Sequence, residues 1–178
     1  MMKRIALILA VASALVCLSA AQSDARVSVS VRTTFSELDA HGEWSKIPRL
    51  GWVWAPYADE QEWRPFMYGY WTWTADGWTW VSYEPFGWIT CHYGHWYLHD
   101  EYGWLWVPGH EWSPARVKWR VTEGEIAWAP LPPPGRSLPS LFAPSAHVYW
   151  VVVPEVHFVD REVYRHRVVH TKPRHVKR

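Results

Sequence analysis

A tryptophan–glycine unit that recurs three times constrains this chain more than any other feature. HGEW (41–44) precedes LGWVWAP (50–56), YGYW (68–71) precedes DGWTWVSYEP (76–85), and YGHW (93–96) precedes YGWLWVP (102–108). Each unit is G-x-W followed by G-W-x-W. The units open at Gly42, Gly69 and Gly94, a spacing of 27 and then 25 residues. A repeat of that length signals one supersecondary element used several times.

The element reads as a β-hairpin. Side chains alternate along a strand, so tryptophans two apart share a face. Trp52 and Trp54 pair this way, as do Trp71 and Trp73, Trp78 and Trp80, and Trp104 and Trp106. Turn-forming residues separate the halves: Ala75-Asp76-Gly77 in the second unit and His99–Gly103 in the third. VKWRVTEGEIAWAP (117–130) reads as a fourth hairpin that turns at Glu123-Gly124. Pro56, Pro65, Pro85, Pro108 and Pro114 mark strand ends, because proline cannot donate to a ladder. Residues 26 to 134 show no helical period.

The expectation is an all-β domain over 26–131. Three to four tryptophan-rich hairpins would supply seven to nine short strands in a twisted meander, small barrel or sandwich. Residues 132–146, rich in proline, would run as an extended linker or strap. Residues 147–160 would hold a terminal strand docked on the domain, and 161–178 a basic, histidine-containing tail. HFVDREVYRHRVV (157–169) fits either a short helix or another strand.

The N-terminus reads as a signal peptide over 1–25. MMKR is a basic leader, IALILAVASALVCLSA is an apolar run of signal length, and cleavage after Ala21 or Ala25 fits the small residues there. The expected location is the periplasm or the cell surface. No later stretch approaches the ~20 apolar residues of a membrane helix. Lipidation at Cys17 is disfavoured by Val16 before it. With the leader removed, Cys91 is the sole cysteine, so no intramolecular disulfide is possible.

Charge is uneven. Residues 151–178 carry 7 Lys and Arg against 3 Asp and Glu, whereas 26–150 carry 9 against 13. The basic tail can contact a protein or an anionic surface. An exported protein without a recognition motif is not expected to bind nucleic acid.

The segments EWRPFMYGYWTW, GWTWVSYEPFGW, HYGHW, YGWLWVPGHEWSPA and AWAPLPP resemble a family of exported, tryptophan-rich bacterial proteins known only as a domain of unknown function. HVYWVVVPEVHFVD also resembles the segment that follows there. The resemblance covers roughly 35–160. The chain departs from the family pattern at His95, where arginine is common, at Thr90-Cys91, and at Arg116, where tryptophan is usual. The resemblance implies an exported domain and no particular activity.

Most of the sixteen tryptophans are expected to form the core, since indoles bury 150–250 Å² each. Those at strand ends and loops are the candidates for a wet, ligand-binding surface: Trp63, Trp88 and Trp112. Glu84 stands beside them in sequence, with Glu60, Glu62 and Glu111 as further acids. Flat aromatic faces with nearby carboxylates suit sugars, so envelope polysaccharide or peptidoglycan is the expected partner. One alternative is a structural or assembly protein acting through protein partners. Another is a glycan hydrolase using Glu84, but that chemistry needs a second carboxylate roughly 5–10 Å away, and none is identifiable. A Cys91–His92 nucleophile pair is adjacent in sequence, the wrong geometry for most such pairs.

No catalytic residue, no cofactor and no metal site is assigned. His95 and His99 share a strand face but lie about 13 Å apart, too far for bonds of about 2 Å to one ion. His157, His166, His170 and His175 lack regular spacing.

Overall fold

The computed structural model describes residues 34–58 and 63–168. The expected signal peptide, the RVSVSV stretch, Glu60, Glu62, His170 and His175 lie outside the described residues. The chain divides into two compact units, Met1–Ser36 and Glu37–Arg178. The strands and the site belong to the second.

The second unit is all-β, with nine strands among the described residues. Four hairpins account for eight of them. β1 (Gly42–Ile47) pairs with β2 (Gly51–Pro56), β3 (Gly69–Thr74) with β4 (Gly77–Ser82), β5 (His95–His99) with β6 (Gly103–Val107), and β7 (Val117–Thr122) with β8 (Glu125–Pro130). Every pairing is antiparallel. The strands form three open sheets with no closed barrel: β1-β2-β6-β5, β3-β4 and β7-β8-β9.

Register explains the repeat. In each hairpin one tryptophan lies directly across from another: Trp44 opposite Trp54, Trp71 opposite Trp80, Trp96 opposite Trp106, and Trp119 opposite Trp128. The second member of each pair is fully buried. Three of these buried indoles donate to backbone carbonyls: Trp54 to Leu38 at 3.0 Å, Trp106 to Tyr93 at 2.8 Å, and Trp128 to Phe66 at 2.8 Å.

The two glycines of a unit do different work. The first lies flat against the partner strand's indole: a Cβ on Gly69 would sit 2.3 Å from the Val81 carbonyl oxygen and 2.6 Å from the Trp80 ring. The second occupies the turn with positive φ, as at Gly77 (φ 97°), a conformation that glycine adopts without steric cost.

The hairpins associate by alternate members. The first and third join edge to edge, β2 against β6, at Trp54 and Trp106. Their indoles cross over the join: Trp44 meets Trp106 at 6.2 Å, and Trp54 meets Trp96 at 6.3 Å, both edge to face. The second and fourth meet through rings instead. Trp71 contacts Trp119 at 4.3 Å and Trp128 at 5.6 Å, and Phe158 closes this cluster against Trp71, Trp119 and Trp128. Edge-to-face contact suits the ring quadrupoles.

After β8 the proline-rich segment lies over the third sheet. Leu141, Ala146 and Trp150 are buried with Ala127, Ala129 and Val152, and the Trp150 indole donates to the Pro139 carbonyl at 3.0 Å. A one-turn helix, Ala146–Tyr149, leads into β9 (Val151–Pro154), which pairs with β8. Buried Arg64 fastens this return to the front of the chain, donating to the carbonyls of His147 and Trp150.

The segment 157–169, left open between helix and strand, holds no strand in its described part and only short 3-10 helix. Short 3-10 turns, Glu155–His157 and Val163–His166, flank its start and middle. Part of the expected tail packs against the domain. Val163 is fully buried, Tyr164 meets Tyr68 at 5.2 Å, and the Arg161 guanidinium lies over the Tyr70 ring at 4.0 Å.

Candidate functional site

An open groove of about 280 Å³ runs between the end of β2 and the turn that joins β5 to β6. Its aromatic surface comes from Trp63, Tyr102 and Trp104, with Pro56, Leu98 and Val148 completing an apolar lining. The β5–β6 turn needs Gly103 at φ 70°, and this tight reversal leaves Tyr102 exposed at the rim (56%). Trp104 is buried in the floor and is braced from behind by Tyr149, edge to face at 5.7 Å.

Trp63 is the one sequence candidate that lines the groove. It is half-buried, with its ring edge to face against Trp96 at 5.5 Å and Phe86 at 6.2 Å. Its indole N–H donates to one carboxylate oxygen of Glu84. The other oxygen accepts the Ser82 hydroxyl at 3.1 Å, and the Glu84 backbone carbonyl accepts from Gly87 N–H at 3.0 Å. Glu84 therefore acts as a clamp that fixes the Trp63 ring at the groove wall. A carboxylate held by two protein donors is poorly placed for proton transfer to a substrate.

Trp88 and Trp112 are exposed, at 54% and 47%, but neither lines the groove. Trp88 sits on the one-turn helix Gly87–Thr90. Trp112 stacks nearly parallel on His92, with centroids 5.7 Å apart. Sequence reasoning missed the most exposed indole, Trp73 (68%), which meets Trp78 edge to face at 5.3 Å at the tip of the second hairpin. It also missed Tyr102. The one available signal was an aromatic placed inside a hairpin turn, where the core cannot reach it.

The Cys91–His92 pair supplies no nucleophile. Cys91 is buried, and burial, with the Glu84 carboxylate as a lesser cause, pushes its thiol well above the usual range. His95 is held below the usual histidine range by burial and secondarily by the Arg116 guanidinium, so its imidazole favours the neutral form. Arg116, the departure from the family pattern, makes a 2.8 Å hydrogen bond to the Glu111 carbonyl and lies 3.6 Å from the Glu111 carboxylate.

Among the described residues no helix is long and apolar enough to cross a membrane. No curated protein and no solved structure matches the chain. Residues 35–135, which hold all four hairpins, Trp63 and the groove's aromatic wall, match the family of unknown function DUF6600. The match stops short of 160, leaving out most of the strap and the terminal strand. The chain belongs to this family of unknown function.

Proposed function

We propose that this protein is an exported, non-catalytic binding module of the bacterial cell envelope whose groove takes a glycan strand of peptidoglycan or another envelope polysaccharide. The observation that carries the reading is the convergence of Trp63, Tyr102 and Trp104 on one open groove. Sugar rings present C–H faces that stack on such aromatic surfaces, and the Tyr102 hydroxyl at the rim can exchange hydrogen bonds with sugar hydroxyls. The volume falls near the lower end of ligand-sized clefts, roughly 300–1,000 Å³. That suits a short stretch of polymer better than a large cofactor. The leader sequence supports delivery to the envelope, and the engagement of Glu84 by Trp63 and Ser82 supports binding without hydrolysis.

Co-sedimentation with purified peptidoglycan and a panel of insoluble polysaccharides tests the reading. Pelleting with one polymer is expected, and it should weaken in Tyr102→Ala, a change at an exposed position that leaves the core intact. Pelleting with none of them, or pelleting that Tyr102→Ala leaves unchanged, would remove this groove from consideration.

A further inference from the structure

The C-terminal turns bring together three potential metal ligands. His157 Nδ1 lies 2.8 Å from Asp160 Oδ2, and His166 Nε2 lies 3.3 Å from the same oxygen. The two imidazoles are cofacial, 3.7 Å apart and within 4° of parallel. All three ligand atoms lie within 4.8 Å of one another. We propose that His157, Asp160 and His166 form a binding site for a divalent transition metal of the zinc class, with its remaining coordination positions open to water or an external ligand.

The donor set and the distances both argue for this. Two imidazoles and one carboxylate suit borderline metals such as zinc, which takes nitrogen at about 2.0–2.1 Å and carboxylate oxygen at about 2.0–2.2 Å. Ligand atoms around a tetrahedral ion of that size stand about 3.4 Å apart. The His166–Asp160 spacing already matches, the His157–Asp160 spacing has to open by about half an ångström, and the two cofacial rings have to turn out of parallel, because an imidazole binds a metal in its own ring plane. The turns that carry the ligands are anchored by their surroundings. Phe158, next to His157, is buried in the indole cluster, and Val163 is buried between Asp160 and His166. An Arg165–Glu162 ion pair at 3.0 Å spans the turn that carries His166. The side chains of His157, Asp160 and His166 remain 37%, 42% and 35% exposed, so an ion can enter and keep water ligands. Irregular sequence spacing does not count against the site, because two 3-10 turns rather than one strand or helix align the histidines.

Equilibrium dialysis against zinc, with the protein purified as its cell processes it, measures the site. One zinc per chain is expected. Affinity should fall by about tenfold or more in Asp160→Asn and in His166→Ala, and should be unchanged in the double variant His170→Ala/His175→Ala. Cobalt in place of zinc should give visible absorption bands that disappear in His157→Ala. Near-ultraviolet circular dichroism of the tryptophans confirms that each variant keeps its core; the near-isosteric Asp160→Asn separates lost ligation from lost structure. Failure to retain zinc in molar excess overturns the proposal. So does retention that follows His170 and His175 instead of Asp160 and His166.

Discussion

Trp63 donates its indole N–H to the carboxylate of Glu84, twenty-one residues away, and this bond sets the angle of the groove wall. The two residues look like separate ligand contacts in the sequence. In the structure one positions the other. Glu84→Gln keeps an amide oxygen that can accept from the indole, so it should cost only about 0.5–1.5 kcal/mol, whereas Glu84→Ala leaves the N–H unmatched and should cost about 1–3 kcal/mol. Urea denaturation gives both numbers. A Glu84→Gln protein that binds polysaccharide as well as wild type would fit a positioning role.

The two glycines of a repeat unit should respond differently to alanine. At Gly69 the new Cβ meets the Val81 carbonyl oxygen at 2.3 Å and the Trp80 ring, so strands must separate, and a loss above about 2 kcal/mol is expected. At Gly77 there is open space, and the penalty comes from φ alone, about 1 kcal/mol. Asparagine, which tolerates that conformation, should recover part of the loss at Gly77 and none of it at Gly69. Thermal melts of the four variants separate the cases.

Trp71 and Trp73 point to the same face of one strand and should differ sharply on truncation. Trp71 is 2% exposed and Trp73 is 68% exposed. Trp71→Ala should cost about 3–5 kcal/mol, enough to unfold a marginal domain. Trp73→Ala should stay within roughly 0.5–1 kcal/mol, the range of an exposed aromatic pair. Guanidinium titrations followed by circular dichroism decide between them.

Stability should fall on mild acidification because of His95. Its folded pKa is lowered by burial and by Arg116, while the unfolded chain titrates near 6.5. Above that value both states are neutral and His95 contributes no pH dependence. As pH falls through about 6.5 the unfolded state takes up the proton first, so stability drops until the folded pKa is passed. Urea midpoints between pH 7.5 and 5 should show this decline, and His95→Gln should flatten part of it.

Cys91 should be silent toward thiol reagents in the folded protein. Its sulfur is buried and its thiolate is disfavoured. Modification should therefore proceed only through opening, and its rate should rise with urea in step with unfolding.

The hairpins and their tight turns were legible in the sequence; of the prolines expected at strand ends, Pro56 and Pro108 fall there, whereas Pro65, Pro85 and Pro114 lie in the connections. The hairpin signals are local: a turn glycine, tryptophans two apart, a terminating proline. Exposure was not legible, because it depends on which hairpins meet. Trp73 has the same spacing as its buried neighbour Trp71, yet it extends past the ring cluster formed with Trp119 and Trp128. Trp63 has no more regular a setting in the sequence than Trp88 or Trp112, but Phe86 and Trp96 pack against its ring. Nothing in the spacing of His157 and His166 hints that their rings lie face to face, since two separate turns bring them there.

The pairing of alternate hairpins also bears on how the chain is assembled in time. Each hairpin closes locally and can form within about 1–10 μs. The β2–β6 join between Trp54 and Trp106 cannot form until the whole second hairpin and nearly all of the third, through β6, have been made, which takes seconds at about 5–20 residues per second. Until then β2 offers an unpaired, tryptophan-bearing edge that any other nascent copy can pair with. The repeat that makes the fold economical thus also makes its early intermediates interchangeable. Whatever keeps first hairpins apart until their own third hairpins arrive would favour the join within one chain over pairing between copies.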